Sequence, residues 1–214
     1  MQSILTGSIM LFMICVFSIN AFAQNPYFKL TPMNQIKMQG IQRQTLDYSC
    51  GAAALSLLLK NYFEDDREEV VILKDITYRL SEEEILDRMV KWFSMLDLKN
   101  TAQRLGYIVD GVMLPQEIVT DLKGPVIILL RKNDLNHFVV LKKVTQGRAF
   151  IADPARGHLR LPLYELFAQW KGEALILGRE GFGLPNQHGL STPKGGAVAP
   201  EREVVRALQR IPPP

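Results

Sequence analysis

A chain of 214 residues, 47% apolar and 22% charged, can bury one sizeable core with appendages and has the composition of an ordinary globular protein. Its formal net charge is only +3, and no basic run is interleaved with aromatics, so nucleic acid is not an expected partner. Neither Cys15 nor Cys50 belongs to a CxxC pattern, which excludes a metal site of that kind.

Residues 1–23 contain no charged side chain, run apolar from Ile9 to Phe17, and end in Ala21-Phe22-Ala23 before Gln24. The small-x-small ending predicts a signal peptide removed after Ala23, with the mature protein in the periplasm. The absence of Lys or Arg from the first residues departs from type. A retained N-terminal anchor is the competing reading, but the apolar run is short for a membrane span, and no stable span is expected after removal. Cleavage leaves Cys50 as the one cysteine of the mature chain, so no intramolecular disulfide is expected.

Residues 24–39, with Pro26 and Pro32, read as an extended lead-in to a domain spanning 40–178. The polar stretch Gln44-Thr45-Leu46-Asp47-Tyr48-Ser49 runs into Cys50-Gly51-Ala52-Ala53-Ala54-Leu55, predicting a helix over 50–63 that starts at the cysteine. Residues 64–69 read as a charged, solvated link. Ser81 three residues before Glu84 is a capping box, and Ile85, Leu86, Met89, Val90 and Phe93 recur at helical spacing, which predicts a helix over 82–93.

A further helix is expected over 96–105, stopped by Gly106, then a strand over 107–113 and a short helix from Pro115 to residue 122. The continuous apolar run 125–130 reads as a buried strand and 133–136 as a turn. Strands over 137–144 and 148–153, joined near Gln146-Gly147, predict a hairpin; 158–161 adds a short strand, 162–170 a helix and 173–177 a last strand. Helices followed by an antiparallel sheet make an α+β fold. The Gly- and Pro-rich residues 179–214 read as a flexible tail with a short helix over 201–210. Gly195-Gly196 reads as a spacer, because residues 186–193 cannot form an amphipathic helix upstream of it.

The chemistry centres on Cys50. At a helix start the unpaired N–H groups and the positive dipole end favour an anion, and a thiolate is one; Gly51 would let the backbone crowd close to whatever the sulfur attacks. A small buried core cysteine is the alternative. His137 opens a strand, so the sheet should hold its backbone; alone, such a histidine is more often structural. The hairpin would set Asp153 beside it to fix the imidazole tautomer, unless Asp153-Pro154 merely begins a turn. Gln44 is a candidate oxyanion donor with the Cys50 N–H, or else an exposed loop glutamine. His158 sits in a turn and should be exposed, and His188 lies in the tail without rigid support. Taken together, Cys50, His137, Asp153 and Gln44 supply a nucleophile, a base, its orienter and an oxyanion donor.

These residues carry a resemblance. Gln44, then five residues, Cys50-Gly51-Ala52-Ala53-Ala54-Leu55, His137-Phe138-Val139-Val140-Leu141 and Asp153-Pro154 resemble the pattern of the C39 peptidases. These are papain-like cysteine proteases best known as N-terminal domains of bacteriocin-exporting ABC transporters. The resemblance implies a papain-like fold, with Cys50 as nucleophile, His137 as base, Asp153 as orienter and Gln44 as oxyanion donor, and no cofactor or metal. Ser49 stands where the family usually has Asp. With a signal peptide ahead and no transporter or ATPase motif behind, the chain is similar to stand-alone exported members, some of which accompany outer-membrane or functional-amyloid secretion systems. The implied function is a periplasmic endopeptidase acting on an exported polypeptide, with a secretion-system component as a further partner. A non-catalytic C39-like binding module, or a thiol acyltransferase or amidase on the same scaffold, are the alternatives.

Overall fold

The computed structural model describes residues 32–192 except 133–134. The expected signal peptide, the lead-in up to Thr31, the Asn133-Asp134 part of the turn, the Gly195-Gly196 spacer and the helix over 201–210 lie outside the described residues. Of two compact units, the first ends at Ile36 and, among the described residues, holds only the start of a short helix α1 (Met33–Lys37). The second, from Lys37 on, holds every other described element.

Helix α2 (Cys50–Phe63) is apolar almost all round, and only Lys60 and Asn61 escape burial. A helix of that kind belongs in the interior. It stops where Glu64 turns left-handed at φ 57° and donates its N–H to the Leu59 carbonyl. Helix α3 (Glu69–Thr77) packs against it through Ile72 and Ile76, four residues apart on one face. The sequence reading took residue 69 as the end of a solvated link and missed this helix. Its β-branched run Val70-Val71-Ile72 weakens the helical signal, and tertiary packing on α2 overrides that.

The expected capping box opens α4 (Glu82–Lys91): Glu84 N–H donates to Ser81 Oγ at 3.2 Å and Ser81 N–H to Glu84 Oε2 at 2.8 Å. The helix ends at Lys91, two residues short of the expected 93, and its apolar stripe is not covered: no α4 residue is buried, and Leu86, Met89 and Val90 are exposed. The chain leaves the helix at Trp92, with φ 69°, and only then turns Phe93 inward. A second capping box, Ser94 with Asp97, starts α5 (Met95–Arg104).

Among the described residues the sheet has six strands, β1 (Ile108–Met113), β2 (Val126–Lys132), β3 (Leu135–Thr145), β4 (Arg148–Asp153), β5 (Gly157–Pro162) and β6 (Glu173–Gly178), with a 3-10 turn over Gln116–Asp121 and a helix α6 (Leu163–Gln169). Their order is β1-β6-β2-β3-β4-β5, and each described pairing is antiparallel. Alternation divides the central strands between two cores. Ile127, Leu129, Phe138, Val140, Ala152 and Leu175 pack with α2, whereas Ile128, Leu130, Val139, Leu141, Ile151 and Ala174 pack with Leu166 and Trp170 around α6. Because both faces are covered, these strands read as unbroken apolar runs. The fold is α+β, with helices packed on an antiparallel sheet.

Residues 179–192, read from composition as flexible, cover the last turn of α2 instead. Leu190 is buried, Gly189 N–H donates to the Asn61 carbonyl at 2.8 Å, and the His188 ring meets Tyr62 edge-on at 4.7 Å. A few apolar and aromatic groups at the right bends anchor a segment whose average composition does not show it.

One glycine next to the site is required by the backbone. Gly157 adopts φ +82°, and a Cβ there would lie 2.3 Å from the Lys37 carbonyl oxygen. Gly147 has a similar φ of +71° but open space around it. Gly147→Ala should therefore cost only the left-handed strain, of order 1 kcal/mol, and Gly157→Ala at least about 2 kcal/mol more. Equal losses in denaturant unfolding would mean that the Lys37 carbonyl moves aside.

Candidate active site

The turn before α2 is closed by its own side chains. Ser49 Oγ donates to the Leu46 carbonyl at 2.8 Å and accepts the Leu46 N–H at 3.1 Å. Ser49 is fully buried and is the N-cap of α2, yet its hydroxyl caps no helical N–H. The open helix end therefore falls on Cys50, a free cysteine 1% exposed. Gly51 is required by packing: a Cβ there would lie 3.1 Å from both Leu98 Cδ1 and Phe138 Cδ2.

His137 stands two residues before Val139 near the start of β3, and Asp153 ends β4; the register Val140↔Ala152 brings the two ends together. His137 Nε2 and Asp153 Oδ1 are 2.9 Å apart. Asp153 is fully buried, and its Oδ1 also accepts the N–H groups of Ala155 at 2.8 Å and Arg156 at 3.1 Å, while Oδ2 accepts Arg156 Nε–H at 2.6 Å. One carboxylate thus both starts the Asp-Pro turn and holds the imidazole, so the two readings of Asp153 describe a single arrangement.

Burial pulls the His137 imidazole down, but hydrogen bonds and charge from Asp153 and Cys50 override it and raise its pKa to about 9. Burial alone would push the Asp153 carboxyl up. The hydrogen bonds and charges of His137, then Arg156, hold it down at about 2. With Nε2 committed to Asp153, Nδ1 is the ring nitrogen left for the Cys50 sulfur, and the ring is an imidazolium at neutral pH.

Gln44 is tied to the turn that follows Asp153. Its backbone N–H donates to the Pro154 carbonyl at 3.2 Å, one residue past Asp153, and its Nε2 donates to the Leu46 carbonyl at 3.2 Å. An amide nitrogen has two protons, so one remains for another acceptor. Gln44 is half-buried, not the exposed loop residue of the alternative reading. Its Oε1 is buried without a protein partner among the described residues.

The other histidines stand apart from this cluster. His158 is half-buried and not exposed as expected: its Nε2–H donates to the Gln39 carbonyl at 3.0 Å, leaving Nδ1 to accept from Lys142 Nζ at 3.4 Å. Burial, then the Lys142 charge, lowers its pKa. His188 Nδ1 accepts the Leu190 N–H at 3.2 Å, and the same two causes lower it. His158→Ala and His188→Ala should leave turnover within about threefold of wild type, as expected away from reacting atoms. A loss of turnover in His158→Ala with His137→Ala active, in purified protein, would point to the other imidazole.

Two residues in this neighbourhood escaped the sequence reading. Arg156 holds the outer oxygen of Asp153, and Glu69, buried at the start of α3, holds the Thr45 N–H next to Gln44. An arginine three residues after Asp153 is a usable local signal; nothing in the chain around Glu69 marks it. Among the described residues no group of His, Cys, Asp and Glu forms a metal-binding cluster, and no helix is long and apolar enough to cross a membrane. Chemically, the arrangement offers sulfur at an open helix end, an imidazolium ready to give up a proton, and amide donors nearby.

Comparisons with known proteins identify the family. The pattern of the Peptidase C39 family matches residues 39–180. Two relatives bear the name probable functional amyloid protease FapD. The one from Pseudomonas fluorescens is 27% identical over 74% of this chain and 69% of its own length. The one from Pseudomonas aeruginosa is 27% identical over 82% and 76%. The peptidase domain of Streptococcus ComA, a bifunctional ABC transporter, superposes with a TM-score of 0.55 at 18% identity, covering 64% of this chain and 96% of that domain, which shows the fold. The chain belongs to the peptidase C39 family and is a cysteine peptidase.

Proposed function

We infer that Cys50, His137, Asp153 and Gln44 are the catalytic groups of an endopeptidase that acts in the periplasm on an exported polypeptide. The observation that carries the assignment is the His137 imidazole, held by Asp153 at 2.9 Å through Nε2 and left with Nδ1 for the Cys50 side chain, whose hydrogen bond and charge also act on the ring. Cys50 sulfur attacks the scissile carbonyl carbon. The developing oxyanion takes hydrogen bonds from the free Gln44 Nε2–H and the Cys50 N–H at the open end of α2. His137 passes its proton to the leaving amine as the C–N bond breaks, and an acyl-enzyme remains on Cys50. A water then attacks that thioester with His137 as base, releasing the acid and restoring the imidazolium.

The apolar run and small-x-small ending of residues 1–23 support export, and the FapD relatives support a substrate from a functional-amyloid assembly pathway, with a secretion-system component as neighbour. Mass spectrometry of protein termini in the periplasm of cells carrying wild type or Cys50→Ala tests this. New termini within an exported protein should depend on Cys50. Identical sets of termini from the two strains would overturn the substrate assignment.

A further inference from the structure

Glu69 is 1% exposed, yet among the described residues its carboxyl group has one hydrogen-bond partner, the Thr45 N–H, at 3.2 and 3.1 Å from its two oxygens. Burying a carboxyl group is expensive, and for stability alone an apolar side chain of similar size serves as well. What the contact achieves is local. Thr45 follows Gln44, whose own N–H is held by the Pro154 carbonyl. The backbone on either side of Gln44 is therefore tied to two separate elements, the Asp153 turn and α3, and α3 is packed on α2, the helix that carries Cys50. Two successive N–H groups anchored in different directions leave the Gln44 peptide little freedom to swing.

We propose that Glu69 is a positioning residue that fixes the Gln44 amide for oxyanion binding, acting through the Thr45 N–H. This rests on the assignment of Gln44 as oxyanion donor. It requires Glu69 to affect reactions of Cys50 that pass through an oxyanion and to spare those that do not.

Two small probes separate these on the same sulfur. p-Nitrophenyl acetate acylates Cys50 through a tetrahedral oxyanion, expelling p-nitrophenolate; iodoacetamide alkylates it by direct displacement of iodide, with no oxyanion. Glu69→Met fills the space without an acceptor. It should slow acylation by about 10- to 100-fold, the scale of a misplaced or lost oxyanion donor, and leave alkylation close to wild type. Glu69→Gln keeps an acceptor oxygen and should recover most of the acylation rate. Adding Glu69→Met to Gln44→Ala should cost nothing further, since the residue acts only through Gln44.

Unchanged acylation in Glu69→Met, equal slowing of both reactions, or an additive loss in the Gln44→Ala background would each overturn the proposal. Should Glu69→Met fail to fold, Glu69→Asp withdraws the carboxyl by one methylene, and undiminished acylation in that variant overturns it equally. Failure of the underlying assignment looks different: acylation would then be unaffected by Gln44→Ala, or would persist in Cys50→Ala.

Discussion

Purified Cys50→Ala is expected to lose turnover by a factor on the order of 10⁴ or more while keeping its fold, and His137→Ala is expected to lose as much. The fold should survive the first change because Cys50 presents one small sulfur to the core; its removal leaves a minor void costing about 1 kcal/mol. The second change removes the only imidazole near Cys50 among the described residues, since His158 and His188 are bonded elsewhere. In the proposed mechanism sulfur and imidazole act as one unit, so the Cys50→Ala/His137→Ala double variant should be hardly worse than either single one. Losses that multiply would mean that the two residues work independently, and wild-type turnover in Cys50→Ala would remove Cys50 from the mechanism. Circular dichroism and thermal unfolding of each variant separate lost chemistry from lost structure.

Much of this site was legible because its parts follow from short-range patterns. The polar-to-alanine transition at Ser49-Cys50 places the start of α2, and the hairpin over 137–153 aligns His137 with Asp153 through register alone. The carbonyl contact that holds Gln44 and the carboxyl contact that holds Thr45 were not legible, since they join residues 24 and more positions apart. Glu69 illustrates the difficulty. Within Glu64-Asp65-Asp66-Arg67-Glu68-Glu69 it is chemically like its neighbours, and only the packing of α3 on α2 buries it. The apolar stripe of α4 marks a different limit. Its helical period is real, but periodicity identifies a helix and an apolar face without saying that the face is covered. Composition likewise misled for residues 179–192, where single residues such as Leu190 outweigh the Gly and Pro average.

Asp153 gives the second large effect, in stability as well as rate. Asp153→Ala would strip the buried His137 ring of its carboxylate, leave the N–H groups of Ala155 and Arg156 without their acceptor, and unpair Arg156. Breaking a buried pair by deleting one partner costs about 3–5 kcal/mol, and that loss is expected near neutral pH. Its pH dependence follows from both partners. The Asp153 pKa is lowered to about 2, so its contribution is present above the unfolded value of about 3.9 and fades as pH falls toward 2. The His137 pKa is raised to about 9, so its contribution is complete below the unfolded value of about 6.5 and fades as pH rises through 9. The stability difference between wild type and Asp153→Ala should therefore be largest between about pH 4 and 6.5 and shrink on both sides. Asp153→Asn keeps the shape and an acceptor for the turn but lacks the charge. It should fold better than Asp153→Ala and still lose about 10²- to 10⁴-fold in kcat, because the ring is no longer held in the right protonation state. Its alkaline limb should also move to lower pH, since burial then acts on His137 against weaker opposition. A denaturation difference that stays flat from pH 3 to 10, or a pH–rate profile unchanged in Asp153→Asn, would show that the Asp153 charge does not govern His137.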